Sequence, residues 1–336
     1  LAVSGLLTGL GSPAVAAPAA ATVRATGTDI AVPAPEWDVL FDRRSGWTGA
    51  DGIYSIPLDG DERPGTGTAD QTFFSFNDTF IGQVSSDGQR QPGSTLVNNT
   101  DALLSGDQPD PTQMAFYYRT SAQGKPRATV VPKTPAGQHQ WFWPNDGIAQ
   151  DGRIYLFSLR EQTSNDPVFN FETAGVSLLS SPIGPVPPFR QYQQVDTPLY
   201  LPAGGSHGDT TFGSAVLPNT QTAGSPNPDG YLYVYGVRND RNNKKLLVAR
   251  VHPSDLTNFS AYEYYSRRGW SPDIRAAAAV TNRVSSEFSV SPLADGRYIL
   301  VFQQTPSATR WPCGTPTHRW ARGATTPWCT TRPSPP

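Results

Sequence analysis

Four carboxylates fall where the neighbouring residues alternate in polarity: Asp51 in GADGI, Asp78 in FNDTF, Asp146 in WPNDG and Glu287 in SSEFSV. Alternation with a period of two marks half-buried strands, so these acids sit on or beside strands rather than on a solvated helix face. Carboxyl groups gathered from distant segments can divide the work of acid–base chemistry. One, kept protonated, gives its proton to a leaving oxygen; the other activates water or attacks directly. Each acid also has a structural reading. Asp51 and Asp146 precede Gly and suit turns, Asp78 precedes Thr and suits a loop cap, and Glu287 could pair with Arg283. His207 and Asp209, in GGSHGDT, are candidates for ligand contact or simply part of a Gly-rich connection.

The elements that would position these residues repeat. WFWPNDGIAQDGRIYLFSL, FGSAVLPNTQTAGSPNPDGYLYVYGVR and SSEFSVSPLADGRYILVFQQ each give a small or apolar first strand, a D-G turn and an aromatic second strand. GADGIYSIPLDGDERPGTGTADQTFFSFNDTF follows the same order with a longer connection. Further strands follow: STLVNNTDALLS and MAFYYRT, then TAGVSLL, then KKLLVARVHPSDL and YEYYSRR. Only SPDIRAAAAV hints at helix. Serial units of about four strands predict an all-β, five-bladed β-propeller with blades starting near Trp47, Trp143, Phe212 and Ser285; a sandwich is the alternative. In a propeller the innermost strand of each blade lines one central funnel. Asp51, Asp146 and Glu287 fall on three such strands, and His207 and Asp209 lie just before another.

The 336 residues include 31 Gly and 33 Pro, with 11% aromatic and 16% charged residues and a net charge of -2. No basic face invites nucleic acid and no polybasic stretch invites anionic lipid, so a neutral or weakly charged ligand is expected and a monomer with it. Four His without ligand spacing support no transition-metal site, and no cofactor is expected. The opening LAVSGLLTGLGSPAVAAPAAATVRA reads as a secretory signal remnant over residues 1–22, with a linker at 23–35 and the propeller at 36–304. The expected location is extracellular.

Residues 305–336 break the pattern, crowding Trp, Pro, Arg and both cysteines, Cys313 and Cys329, into TRWPCGTPTHRWARGATTPWCTTRPSPP. Read one base out of frame, with Ala, Gly and Val forced after Trp311, Trp320 and Trp328 and the other third bases free, this stretch can become VAVRYADSPVGPWSDHTVVYDAPEP, which alternates and turns like the missing part of a blade. The expectation is therefore a chain truncated within its fourth blade, with the cysteines no designed pair.

The restored ADSPVGPW resembles the blade endings of five-bladed propellers that act on furanosides. GWTGADGIYSIPL, FFSFNDTFIG, VNNTDALL, WFWPNDG, FGSAV, YLYVYG and SSEFSV, in this order over about residues 36–304, resemble secreted actinobacterial domains of unknown function 5005, related to the 4185 type that contains endo-D-arabinanases. The resemblance implies an exported glycoside hydrolase-like domain acting on an arabinan or another furanose-containing oligo- or polysaccharide. It matches Asp51 to the general base and makes Glu287 the candidate general acid, with Asp146 orienting the site; Asp146 or Asp78 are alternative acids. Trp143 and Trp47, aromatic residues near these acids, are candidates to stack on the sugar.

Overall fold

The computed structural model describes residues 33–63, 71–134, 139–165, 170–240, 243–293 and 296–303. The expected signal remnant and altered tail lie outside these residues. The described chain is nearly all β, with a single-turn helix α1 (Pro35–Asp38) before the first strand. The first sheet comprises β1 (Ser45–Ala50), β2 (Ile53–Pro57), β3 (Gln71–Phe76), β4 (Thr79–Gln83), β5 (Thr95–Val97), β6 (Thr100–Ser105) and β7 (Met114–Tyr117). β1 pairs with β4 and β4 with β5; β2 pairs with β3, β3 with β6 and β6 with β7, all antiparallel. Since β1 runs into β2 and β3 into β4, these ladders are two halves of one bent sheet.

A small hairpin of β8 (Arg119–Thr120) and β9 (Pro126–Arg127) leads to the second sheet, β10 (Gln140–Gln150), β11 (Arg153–Thr163), β12 (Phe171–Pro182) and β13 (Gln193–Asp196). The third contains β14 (Tyr200–Leu201), β15 (Thr210–Asn219), β16 (Tyr231–Asp240), β17 (Asn243–Val251), β18 (Glu263–Ser266) and β19 (Gly269–Ser271), with β20 (Thr281–Asn282) beside β17. The hairpin of β21 (Phe288–Pro292) and β22 (Tyr298–Phe302) follows. SPDIRAAAAV contributes only a 3-10 turn at Ile274–Ala276.

The D-G dipeptides do two different jobs. Asp151 and Gly152, with φ of 51° and 70°, close the two-residue turn between β10 and β11, as a hairpin requires of both central residues. Asp51-Gly52 and Asp146-Gly147 are not hairpin turns. Asp51 and Gly52 form a corner between β1 and β2, opposite Asn77 and Asp78 between β3 and β4. Asp146 lies in an irregularity inside β10, where the register shifts between Pro144 and Gly147. β15 has a comparable shift between Phe212 and Ala215. Such bulges bend a strand and re-aim the side chains they carry.

Apolar faces between successive sheets hold the assembly together. Ile56, Phe73 and Leu103 of the first sheet pack with Phe142, Ile154 and Leu156 of the second. Phe157, Val176 and Leu178 then meet Phe212, Val216 and Val234 of the third, while Ala215, Val237 and Leu246 meet Phe288 and Leu300. Strands β2, β10, β15 and β21 lie side by side in that order. The result is a propeller-like β fold. Outer strands enter the interface cores through alternate residues, which is the period-two pattern legible in the sequence.

Candidate active site

The site is built where the inner strands bend. At the first corner, Asp51 N–H donates to the Asp78 carbonyl at 3.3 Å and Asn77 N–H to the Asp51 carbonyl at 2.9 Å. Gly52 permits this corner for two reasons. Its φ is +52°, and a Cβ there would stand 2.3 Å from Asn77 Nδ2. The Asn77 side chain in turn lies near enough to Glu287, which precedes β21, to favour its charged form. Thus the first sheet touches the fourth unit across the centre, although the inner strands between them run through β10 and β15.

Glu287, Asp146, Tyr54 and Glu62 line a cavity of about 580 Å³, with Ile53, Ser55 and Val216 among its other walls. Asp51 is open to solvent at its corner, yet protein atoms crowd its carboxyl. Its proton affinity is raised first by burial and then by the Asp78 charge. Glu287 is likewise exposed as a residue, yet protein atoms around its carboxyl raise it first by desolvation and then by the Asp51 charge, against lowering by Asn77 and Lys244. Burial sends the Tyr54 hydroxyl well above its usual range, and the charges of Glu287, Asp146 and Asp51 push in the same direction. Tyr54 is therefore a common neighbour of three of the candidate acids. Its hydroxyl also lies 3.4 Å from Asn145 Oδ1.

Asp146 has less freedom. One carboxylate oxygen accepts from Gly147 N–H at 2.8 Å and the other from Val216 N–H at 2.7 Å, tying the bulge of β10 to β15. Burial outweighs these bonds and raises its carboxyl to about 7. With both oxygens committed to backbone, Asp146 is a tie between inner strands, close to the turn-residue alternative. Asp78 is also committed: one carboxylate oxygen accepts from Trp143 Nε1 at 2.9 Å. Trp143 is only partly buried and packs edge-on against Phe171, with ring centroids 4.8 Å apart.

Trp47 has to be withdrawn as a sugar-stacking candidate. It is 3% exposed, packs against Phe76 and Phe116, and donates its indole N–H to Thr100 Oγ1 at 3.1 Å. Its ring fills the core of the first sheet. His207 and Asp209, the other two ligand-contact candidates, have separate surroundings. His207 lies on the exposed loop with Nδ1 3.7 Å from Asp240 Oδ1, and Asp240 is held by Arg238. Asp209 is half-buried and acts electrostatically on Lys244, Glu161 and Tyr200.

Sequence reading missed Glu62, Tyr54, Asn77 and Lys244. Glu62 lies beyond β2 in DGDERPG, a loop with no periodicity to show which way it points, and its N–H docks on the Ala223 carbonyl at 3.2 Å. Its carboxyl is raised to about 8, chiefly by burial and then by Asp146, Asp59 and Asp61. Asn77 had a usable signal, its position beside Asp78 in FNDTF. Among the described residues no group of three or more His, Cys, Asp or Glu is arranged to hold a metal ion, and no helix is long and apolar enough to cross a membrane.

The corner makes a direct prediction. Gly52→Ala should cost about 1–2 kcal/mol for the left-handed backbone alone and push Asn77 away from Glu287. Urea unfolding measures the cost, and an unchanged midpoint would contradict this account of the corner.

Fold and site together define a propeller-like β protein whose inner strands converge on an acidic central cavity. The chain belongs to the family described as Domain of unknown function (DUF5005), which matches residues 35–314. No curated protein matches it. Among solved structures it is similar to a candidate hydrolase from Bacteroides ovatus ATCC 8483, at 19% identity and a TM-score of 0.57, over 80% of this chain and 67% of that one. A xylan beta-1,4-xylosidase from Bacillus halodurans C-125 aligns at 9% identity and a TM-score of 0.29, over 78% and 50% of the two chains. The first likeness supports the fold; the second is too slight to argue from.

Proposed function

We propose that this domain is an exported glycoside hydrolase that cleaves a neutral, furanose-containing glycan of the arabinan type. The observation that carries the reading is that the charge of Asp51, at the corner before β2, acts on Glu287, which lines the cavity and comes from the far end of the described chain. Glu287 is the proposed general acid. Burial and the neighbouring Asp51 charge favour its protonated form, which is what a proton donor to a leaving oxygen needs near neutral pH. Asp51, at the open corner, is the proposed base. Asp146 and Asp78 hold the frame, and Trp143, half-exposed and fixed by its bond to Asp78, offers an aromatic face to a sugar.

The cavity lies between β2 and the β21–β22 hairpin, and a five-bladed ring is part of this reading. The similar protein from Bacteroides ovatus is described as a hydrolase, which agrees with the reaction class. The test is incubation with plant and mycobacterial arabinans. Reducing ends should accumulate with time, whereas saturable binding without products would make the domain a carbohydrate-binding propeller instead.

A further inference from the structure

Lys244, the second residue of β17, places its Nζ 2.6 Å from Ser286 Oγ, to which it donates. The backbone before Glu287 is fastened to the same end of β17. Arg283 N–H donates to Asn243 Oδ1 at 3.2 Å, and Val284 N–H reaches the Lys244 carbonyl at 3.4 Å. Arg283 turns the chain there with a φ of 62°. Beyond Ser286, the Ser285 hydroxyl donates to the Glu287 carbonyl and accepts from Gln303 N–H at 3.2 Å. Glu287 is thus carried on a short segment hung from β17, and Lys244 grips that segment one residue before the carboxylate.

The charges around the pair are unequal. Glu287 faces Asp51 from the first corner, the Asn77 amide beside it, Tyr54 from β2 and Lys244 from β17; Asp146 and Glu62 share its cavity. Burial pulls the Lys244 ammonium below the usual lysine range, against the charges of Asp209, just before β15, and Glu287. Burial and the Asp51 charge would otherwise leave Glu287 too ready to keep its proton.

We propose that Lys244 is a positioning residue for Glu287, fixing its segment through Ser286 and supplying the positive charge that offsets Asp51, with Asp209 as its second counter-ion. The proposal rests on the reading of Glu287 as an acid, but its test does not require turnover. The carboxyl carbon of Glu287, assigned by its loss in Glu287→Gln, is titrated by NMR in the full chain. Lys244→Met should raise the midpoint by about one pH unit, Lys244→Arg should restore it, and Ser286→Ala, which frees the ammonium without removing it, should raise it by a smaller step. On a cleaved glycan, the basic limb of the pH–rate profile should move by the same interval.

An unchanged midpoint in folded Lys244→Met overturns the proposal. Where that variant does not fold, an unchanged midpoint in Ser286→Ala overturns it. Shifted midpoints in a protein that cleaves no glycan would leave Lys244 in this role and remove only the hydrolase reading.

Discussion

Replacing Asp51 by Asn is expected to reduce glycan hydrolysis by about a thousandfold or more, the range spanned by a positioned acid–base group, while Tm moves by less than about 2 °C. The asymmetry follows from how the corner is held. Backbone groups of Asp51, Asn77 and Asp78 bond one another, and the left-handed Gly52 sets the bend. The Asp51 carboxyl is raised by burial and by Asp78, against its own backbone N–H, so removing its charge relieves repulsion while the bonds between the corner's backbone groups remain. Rates and thermal melts on the same preparation check both halves. Preserved hydrolysis would take the base assignment away; a collapsed Tm would show that Asp51 is structural.

The second large effect is on stability. Glu62 and Asp146 shift from ordinary values of 4.5 and 3.8 to about 8 and about 7 in the folded chain. Their folded forms keep protons that the unfolded chain has already released. The stabilisation is therefore complete below about pH 4, and it is lost progressively as pH rises towards 7 and 8. Each unit of separation corresponds to about 1.4 kcal/mol. The raised carboxyls of Asp51 and Glu287 contribute with the same sign. Asp196 and Asp240, whose carboxyls are lowered, act oppositely, losing stability only as the solution becomes strongly acidic.

Thermal stability should accordingly peak near pH 5 and fall by roughly 5–10 °C by pH 9. Glu62→Gln should raise Tm at pH 9 and leave it nearly unchanged at pH 5, because the neutral amide resembles the protonated acid. Melting curves across this range decide the matter. An equal slope in wild type and variant would mean that Glu62 is not held protonated beside Asp146.

Much of this was legible because one physical rule governed it. Period-two alternation around Trp143, Phe212 and Phe288 located inner strands, and strands of successive sheets must bury their apolar faces against one another. Asp51, Asp146 and Glu287 therefore read as residues of inner strands, but only Asp146 lies within one; Asp51 stands at the corner between β1 and β2 and Glu287 just before β21. The D-G signal was ambiguous for a physical reason: a glycine with positive φ serves a hairpin at Gly152 and a corner at Gly52 equally well. Trp47 and Trp143 share a residue type and a strand position, and only packing separates them: Phe116 helps bury one ring, while the other, edge-on to Phe171 and bonded to Asp78, is only partly covered. Glu62 and Lys244 escaped notice because loops and hairpin ends carry no periodicity. The partner of His207 is Asp240 rather than nearby Asp209, since β16 and not the local loop brings the carboxylate within reach.

The most direct measurement of the proposed division of labour compares Glu287→Gln with wild type on two substrates: an arabinan and an aryl furanoside whose phenolate departs without protonation. An acid is needed only for the poor leaving group. The variant should be slowed about a thousandfold on the polymer and only slightly in the bond-breaking step on the aryl furanoside. Equal loss on both substrates, or full activity on the polymer, would contradict Glu287 as the proton donor at this cavity.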